Sequence, residues 1–300
     1  MILITGGAGF IGSHITDILI KNNYNCLVLD NLSTGKKENI NDKALFYNID
    51  IKDYNKLESI FSENNIEIVI HLAAQVSVPN SIRNPINDAD ENIIGSLNII
   101  ELSKKYNIKN IIASSSAAVY GLPKKLPIDE IHSTNPISYY GLSKLTMEKY
   151  MILSNINYVI CRFSNVYGPR QTPHGEAGVI SIFMDNALKN KDLNIFGNGN
   201  QTRDFIYVED IAFIFLKIIE NNIQNEVLNI STNFSITINE LAQTIIKIQN
   251  KNNININYFD RRDGDIDHSI LDNTKLLNII REIEFTNIND GLYKLYKTLI

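Results

Sequence analysis

The sequence predicts an α/β fold in which helices cover both faces of a parallel sheet. Short runs of apolar and β-branched residues alternate with longer amphipathic segments through the first half of the chain. Such continuous apolar runs are typical of strands that are buried on both faces. A glycine-rich turn directly follows the first run, and turn residues cluster after about residue 165. We therefore expect a doubly wound parallel sheet, followed by a smaller part with more loops.

The elements are predicted in order from these runs and from the segments between them. Strands are expected at 1–5, 25–30, 44–48, 66–71, 109–115 and 157–163. Helices are expected at 10–22, 53–63, 81–106 and 138–154, and then near 176–190, 208–221, 238–249 and 288–299. Pro85 can start or kink the long helix 81–106. The pattern predicts one domain over 1–165, to which some later segments return. A second domain over 166–300 is expected on the side of the sheet where ligands bind.

The composition of the 300-residue chain excludes several classes of protein. With 28 Lys and Arg against 33 Asp and Glu, the net charge is −5, so neither nucleic acid nor a membrane surface is an expected partner. No apolar run approaches the ~20 residues that a membrane helix needs. Cys26 and Cys161 lie in apolar runs and are predicted to be buried thiols. The five His residues lack metal-ligand spacing and no signal-peptide pattern is present, so we expect a cytoplasmic protein without a metal.

A dinucleotide site is predicted at the first turn. Thr5–Gly12 carries glycines at 6, 9 and 12 between a strand and an amphipathic helix. Such a turn lets the backbone approach a pyrophosphate, and the helix N-terminus supplies N–H groups. Asp30 ends the second strand 18 residues after Gly12, close to the ~20 expected of the acid that binds the ribose hydroxyls. Its charge repels a 2′-phosphate and favours NAD, although Lys36 and Lys37 keep NADP open. Asp50, which ends the third strand, is within reach of the adenine or caps a helix.

A group of catalytic residues is predicted on the helix expected at 138–154 and at the end of the fifth strand. Tyr140 and Lys144 stand four residues apart, so they share one helix face, and Ser116 ends the fifth strand upstream. A free phenol has a pKa of about 10 and is a poor base at neutral pH, but a nearby ammonium favours the phenolate. Tyr140 can then take a proton from a sugar hydroxyl, while Ser116 hydrogen-bonds the same oxygen. Tyr139 competes by proximity but points ~100° away on a helix.

At these residues the chain resembles the extended short-chain dehydrogenase/reductase superfamily, and within it the UDP-glucose 4-epimerase family. The resemblance implies a Rossmann domain, a smaller C-terminal nucleotide-sugar-binding domain, NAD as the cofactor, a UDP-sugar as the substrate, and a homodimer formed through two helices per subunit. It covers nearly the whole chain. The matching blocks are Thr5–Gly12, Asp30–Gly35, His71–Ala74, Ser114–Gly121, Tyr140–Lys144, Ser164–Gln171, Gln201–Asp210 and Arg262–Asp265.

The resemblance also implies a role for individual residues. Ser116, Tyr140 and Lys144 would be the catalytic residues. Tyr140 and Lys144 would also contact NAD, together with Gly6, Gly9, Phe10, Ile11, Gly12, Asp30, Asn31, Asp50, Ile51, Leu72, Ala73, Ala74 and Asn92. Ser116 and Tyr140 would touch the sugar, and its diphosphate would be held by Asn165, Arg203 and Arg262. Asp265 would hold a ribose or shape the loop. Asp263 puts a negative charge beside Arg262, which weakens that assignment relative to Arg203.

The reaction is inferred from two further positions. Related dehydratases and decarboxylases carry a carboxylate directly after the catalytic hydroxyl, where this chain has Ala117 and Ala118. We therefore expect C4 epimerisation through a transient 4-keto sugar. In the family, a residue four positions after Asp265 limits the 2-substituent of the sugar. That residue is the small Ser269, which predicts acceptance of UDP-GlcNAc and UDP-GalNAc as well as UDP-glucose and UDP-galactose. The alternatives are a UDP-uronate epimerase, a dehydratase, a net reductase or an NAD-sensing binding protein.

Overall fold

The computed structural model describes residues 1–173, 178–251, 253–261 and 266–300. In chain order its strands are β1 (Ile2–Thr5), β2 (Cys26–Asp30), β3 (Leu45–Asn48), β4 (Ile68–His71), β5 (Asn110–Ser116), β6 (Tyr158–Phe163), β7 (Asn165–Tyr167), β8 (Leu193–Phe196), β9 (Thr202–Tyr207), β10 (Glu226–Ile230), β11 (Ser235–Thr237), β12 (Ile256–Phe259) and β13 (His268–Ser269). Its α-helices are α1 (Phe10–Lys21), α2 (Tyr54–Glu63), α3 (Val78–Arg83), α4 (Pro85–Ala89), α5 (Gly95–Lys105), α6 (Tyr139–Leu153), α7 (Val179–Leu188), α8 (Val208–Glu220), α9 (Ile238–Ile248), α10 (Thr274–Ile279) and α11 (Ile288–Leu299).

The chain forms two compact units. The first contains Met1–Gly121, Ser133–Phe163 and Ile211–Leu228. The second contains Leu122–His132, Ser164–Asp210 and Asn229–Ile300. The chain therefore enters the second unit for a short segment before α6 begins, and it returns to the first unit within α8.

A seven-stranded sheet with the order β10-β6-β5-β4-β1-β2-β3 organises the first unit. The six strands from β1 to β6 pair in parallel. The order reverses between β1 and β4, and in such sheets ligands bind beyond the carboxyl ends of the strands at that switch point. The α/β class and the parallel sheet predicted from the apolar runs are confirmed.

The core of the first unit consists of the residues that made those runs continuously apolar. Leu3, Leu27, Val69 and Ile111 of four neighbouring strands are fully buried. Removing each such side chain from water stabilises the fold by about 1.5–3 kcal/mol. Cys26 on β2 and Cys161 on β6 are buried free thiols, as predicted.

The prediction of a single long helix over 81–106 is wrong. Here the chain forms α3, α4, a π-helical turn over Asp90–Ile94, and α5. The break lies at Asn84, whose backbone at φ −140° and ψ 74° is not helical. Pro85 causes it, because a proline disfavours the α conformation in the residue before it. The Asn84 side chain accepts a hydrogen bond from the Asn87 amide and caps the new helix.

The second unit is built around β9. This strand pairs with β7 and β13 in parallel and with β11 in the antiparallel direction, while β8 and β12 form a separate parallel pair. Buried side chains of α7, α9 and α11 pack with these strands, including Phe183, Leu241 and Leu292. The sequence predicted α7, α8, α9 and α11, but neither α10 nor any strand of this unit. No helix of the described chain is long and apolar enough to cross a membrane.

Candidate active site

The glycine-rich turn forms a close approach between β1, α1 and the end of β4. Gly6 has a φ of +71°, and a Cβ atom there would lie 2.7 Å from the Ala73 amide nitrogen. A Cβ atom on Gly12 would lie 2.3 Å from the Gly6 carbonyl oxygen. Gly9 caps α1 without a side-chain hydrogen bond, so the first amides of the helix, including those of Phe10 and Ile11, meet no side-chain cap. This bare backbone cradle at a helix N-terminus fits a pyrophosphate.

Asp30 is fixed at the end of β2. Its carboxylate accepts hydrogen bonds from the Ala8 amide at 3.0 Å and from the Leu32 amide at 2.8 Å. Burial raises the pKa of Asp30 above its usual range, and these two amides oppose that rise. A Cβ atom on Gly35 would lie 2.7 Å from the carboxylate, so the loop after β2 closes tightly over Asp30. A carboxylate has lone pairs for about four hydrogen bonds, so both oxygens can also accept from ribose hydroxyls.

The predicted adenine-side residues form a connected group. The Asn31 amide donates to the Asp50 carboxylate at 3.0 Å, which joins the ends of β2 and β3. Asp50 also accepts from the Lys52 amide at 2.8 Å. Ile51 is buried, and a Cβ atom on Gly95 would lie 2.5 Å from its Cδ1 atom. The loop after β3 is thus held by hydrogen bonds on one side and by packing on the other.

The end of β4 is tied to β1 at the switch point. The Thr5 hydroxyl is 2.8 Å from His71 Nδ1, and it accepts from the amides of Leu72 and Ala73 at 3.2 and 3.3 Å. The other ring nitrogen of His71 is 2.9 Å from the Ser96 hydroxyl. Burial, with the Lys144 charge, lowers the pKa of His71 to about 3, so the ring is neutral. This network of hydrogen bonds positions the Leu72–Ala74 segment.

Asn92 lies in the π-helical turn and is buried. Its oxygen accepts from the Gln75 amide at 2.8 Å, and its nitrogen donates to the Gln75 carbonyl, to Asp88 and to the Ser143 hydroxyl. Sequence reasoning singled out Asn92 but missed Gln75, Asp88 and Ser143. Polar residues inside otherwise amphipathic helices were the available signal. A contact between Asn92 and NAD stays a prediction, because these bonds already occupy its amide.

Tyr140 and Lys144 lie one turn apart at the start of α6. Ser138 caps this helix by accepting from the Gly141 amide at 3.1 Å. The Lys144 side chain is 4 % exposed, so it does not lie on a solvated face. Burial lowers the pKa of Lys144 to about 8, against the opposing charges of Glu148 and Asp88. Tyr139, the competing candidate, is half exposed.

The turn after Ser116 packs against the start of α6. Ser116 ends β5, and its hydroxyl accepts from the Ala118 amide at 3.2 Å. A Cβ atom on Gly141 would lie 2.5 Å from the Ala118 carbonyl oxygen, so only glycine permits this approach. Tyr140 precedes that glycine. The structure therefore brings the chain at Ser116 and the chain at Tyr140 together within the first unit.

The second unit holds three described residues assigned to the substrate: Asn165, Arg203 and Ser269. The Asn165 amide donates to the Asp204 carbonyl at 3.0 Å. Arg203 donates through Nη1 to the carbonyls of Thr202 and Asp267 at 2.9 and 3.3 Å. Ser269 pairs with Arg203 across β13 and β9. Arg262 and Asp265 lie outside the described residues.

Two further features of the second unit were not predicted. Asp204 follows Arg203 on β9, and its carbonyl is the one that accepts from Asn165 on β7. Its carboxyl group is buried, and burial raises its pKa to about 6 although the Thr232 hydroxyl donates to it at 2.9 Å. A pocket lies within the same unit, lined by Phe196, Gly197, Asn198, Gln201, Arg261, Ile266 and Asp267. Glycine and asparagine turns beside a short apolar strand were the only sequence signal for this pocket.

The chain is similar to known epimerases over its whole length. Residues 2–231 match the model of the NAD dependent epimerase/dehydratase family. A Methanocaldococcus jannaschii protein, named provisionally as a UDP-glucose 4-epimerase, is 55 % identical over 250 residues, which are 82 % of this chain and 81 % of that protein. The crystal structure of UDP-glucose 4-epimerase from Thermotoga maritima with UDP-glucose is 43 % identical, with a TM-score of 0.95 over 100 % of this chain and 99 % of that one. A UDP-N-acetylglucosamine 4-epimerase from Methanobrevibacter ruminantium, in complex with UDP-N-acetylmuramic acid, is 35 % identical, with a TM-score of 0.93 over 99 % and 97 %.

Proposed function

This chain belongs to the NAD dependent epimerase/dehydratase family, and on that premise we propose that it interconverts UDP-glucose and UDP-galactose by epimerisation at C4. The observation that carries the proposal is the placement of Tyr140 and a buried Lys144 on α6, against the turn that follows Ser116. That turn contains Ala117 and Ala118, so no carboxylate stands there to eliminate water or carbon dioxide. Apart from the hydride acceptor, which NAD would supply, simple epimerisation needs only the phenol, the ammonium and the hydroxyl.

The first unit supplies groups that fit NAD. The glycine turn offers backbone to the pyrophosphate, Asp30 offers acceptors to the adenosine ribose, and Asn31, Asp50 and Ile51 border the adenine side. Leu72–Ala74 at the switch point would line the path toward the nicotinamide. When bound, NAD supplies the acceptor and donor of hydride at the sugar C4 atom.

Proton transfer is assigned to α6 and the end of β5. Tyr140 accepts the proton of the C4 hydroxyl and later returns it. Lys144, whose pKa is lowered to about 8, is still largely charged at neutral pH, and its positive charge favours the phenolate. Ser116 accepts from Ala118, and a hydroxyl can accept and donate at once, so it can donate to the C4 oxygen of the sugar.

The diphosphate is assigned to Asn165, Arg203 and Arg262, and Asp265 is assigned to a ribose or to shaping the loop. Arg203 uses Nη1 for two carbonyls, and a guanidinium has five N–H donors in a fork that suits phosphate oxygens. Local cations are needed to bind the anionic diphosphate, because the whole chain carries a net charge of −5. The transient 4-keto sugar would remain attached to this diphosphate while its opposite face turns toward the cofactor.

A second substrate is favoured by Ser269. This small residue pairs with Arg203, so it stands next to the group assigned to the diphosphate. A UDP-N-acetylglucosamine 4-epimerase is among the similar structures. We therefore propose that UDP-GlcNAc and UDP-GalNAc are also interconverted.

The proposed assembly is a homodimer in the cytoplasm. The elements from α4 to α6 carry apolar side chains that are largely exposed in the single chain, among them Ile86, Ile94, Leu142 and Leu153. Exposed large apolar side chains on neighbouring elements are what an interface between subunits would bury. Two buried free thiols suit a reducing compartment. Light scattering of the purified protein, with Leu153→Lys as the variant, tests the dimer.

The function is tested by NMR of sugar nucleotides after incubation with UDP-glucose and, separately, with UDP-GlcNAc. The C4 epimer should form without net NADH, and NAD should remain bound after dialysis. Tyr140→Phe, prepared in parallel, should form the epimer at least ~10²-fold more slowly. A 6-deoxy-4-keto product, or stoichiometric NADH, would instead identify a dehydratase or a net dehydrogenase.

A further inference from the structure

Glu148 follows Lys144 by four residues on α6. Side chains at this spacing are neighbours on a helix, and a Lys and a Glu so placed attract each other. Among the described residues, however, the salt bridge of Glu148 is made with Arg162 and not with Lys144. The reason lies on the neighbouring strand β6, which carries Arg162.

Arg162 binds both oxygens of the Glu148 carboxylate through one edge of its guanidinium, formed by Nε and Nη2. Its Nε donates to one oxygen at 3.0 Å and its Nη2 to the other at 2.7 Å. The Ser115 hydroxyl donates to the first oxygen as well. The Nη1 donates to the Tyr120 hydroxyl at 3.0 Å, and the guanidinium lies 4.8 Å from the centre of that ring. Glu148 and Arg162 are 0 % and 5 % exposed, so the carboxylate could not leave without abandoning a buried cation.

Two other ionisable groups near Lys144 are held by hydrogen bonds to neutral side chains. Asp88 on α4 accepts from Gln75 at 2.7 Å and from Asn92 at 3.2 Å, and His71 on β4 is neutral. Tyr140 is the titratable group one turn earlier on α6. The remaining charged side chains on the elements that pack against α6 are exposed or interact with Lys52: Arg83, Asp90, Glu91, Glu101, Lys104 and Lys105.

We propose that Arg162 is a positioning residue for the reaction, because it holds Glu148 away from Lys144 and so prevents the ion pair that their spacing would favour. The ammonium of Lys144 then acts on Tyr140 and on the cofactor rather than on a carboxylate of its own helix. The lowered pKa of Lys144 agrees with this arrangement, since burial outweighs the attraction of the Glu148 charge, whose hydrogen bonds go to Arg162 and Ser115. The inference deepens the proposed function and rests on the role assigned there to Lys144.

The test removes the guanidinium with Arg162→Met. Glu148 should then pair with Lys144, and the alkaline limb of the pH profile of kcat/KM, which reports loss of the Lys144 proton, should move up by about one pH unit. Turnover at neutral pH should fall, because the ammonium is drawn from Tyr140. A crystal structure of the variant should bring the Lys144 nitrogen to the Glu148 carboxylate, and this readout does not require activity.

The matched control is the double variant Arg162→Met with Glu148→Gln, which leaves no carboxylate to pair. Its alkaline limb should return to the wild-type position or below it. A merely structural role predicts that both variants melt at lower temperature while their alkaline limbs stay in place, and that result would overturn the inference. If Arg162→Met does not fold, Arg162→Lys keeps a cation without the fork and should move the limb by a smaller amount. Wild-type protein without epimerase activity would refute the proposed function, whereas the crystal structure would still decide the pairing.

Discussion

Ser269 on β13 lies directly opposite Arg203 on β9. The two strands run parallel, His268 stands opposite Thr202, and the His268 ring is 3.0 Å from the Thr202 hydroxyl. Residues in register on neighbouring strands project their side chains from the same face of a sheet. A side chain at 269 therefore shares a face with the guanidinium assigned to the diphosphate, and its size should control what else fits there.

Enlarging Ser269 should change sugar selectivity. Ser269→Tyr is expected to lower kcat/KM for UDP-GlcNAc at least ~10-fold relative to UDP-glucose, because the ring would occupy the space of the acetamido group. Ser269→Ala is the size-matched control and should leave the ratio unchanged. The measurement is the pair of kcat/KM values for each variant. An equal loss on both substrates would contradict selection at this position.

Removing the Tyr140 hydroxyl should stop proton transfer. Tyr140→Phe is expected to lower turnover by ~10²–10⁴, which is the usual contribution of a positioned acid or base. Tyr139→Phe is the matched control on the adjacent, half-exposed ring and should keep most of the activity. Product formation is followed by NMR, and retained NAD checks the fold. Comparable losses in the two variants would reject Tyr140 as the base.

Lys144 should lower the stability of the protein without cofactor. Its pKa of about 8 when folded lies below the ordinary 10.5, so the charged form is disfavoured by folding. The cost is fully present below pH 8 and is relieved as the pH rises toward 10.5. Lys144→Met should therefore raise the free energy of unfolding at pH 7 by about 3 kcal/mol. It should also abolish turnover.

Urea unfolding at pH 7 and pH 10 measures this effect. The stability difference between Lys144→Met and the wild type should shrink at the higher pH, because the wild-type lysine is by then deprotonated when folded. Other titrating groups affect both proteins equally and cancel in the difference. A gap that widens with pH would contradict the direction given for this pKa.

Gly12 should be indispensable to the cofactor cradle. Gly12→Ala places a methyl group 2.3 Å from the Gly6 carbonyl oxygen, so α1 must move away from β1. We expect destabilisation by roughly 1–3 kcal/mol and loss of retained NAD. Gly9→Ala is the control, since its methyl group would lie 3.1 Å from the same oxygen. Thermal melting and the NAD content of each purified variant are the measurements, and equal behaviour of the two variants would contradict the packing argument.

Much of the first unit could be read from local patterns. Each of the strands β1, β2, β4, β5 and β6 contains a continuous run of at least three apolar residues, because both faces of the sheet are covered. The glycine spacing and the position of Asp30 follow from the strand–turn–helix that they must form. The split of the helix predicted over 81–106 was less visible. Pro85 gave the place, but whether a proline starts, kinks or ends a helix depends on what the flanking residues can bond to.

The second unit was less predictable because its strands are short and meet residues far away in sequence. The strand β7 has three residues and β13 has two, which is too few to show an alternation of apolar and polar residues. Their partner β9 lies some 40 or 65 positions away along the chain. Two of the assigned residues, Arg262 and Asp265, lie outside the described residues, so their roles stay predictions.

The sequence by itself determined which groups are available: a glycine turn at a helix N-terminus, an acid at the end of β2, and a phenol and an ammonium one helical turn apart. These follow from spacing along one segment, because helix and strand periods are local. Tertiary structure alone decided which charges meet. It paired Glu148 with Arg162 rather than with Lys144, buried the lysine so that its pKa fell, and set Ser269 opposite Arg203. Burial and long-range register depend on the whole packed chain, and no single segment encodes them.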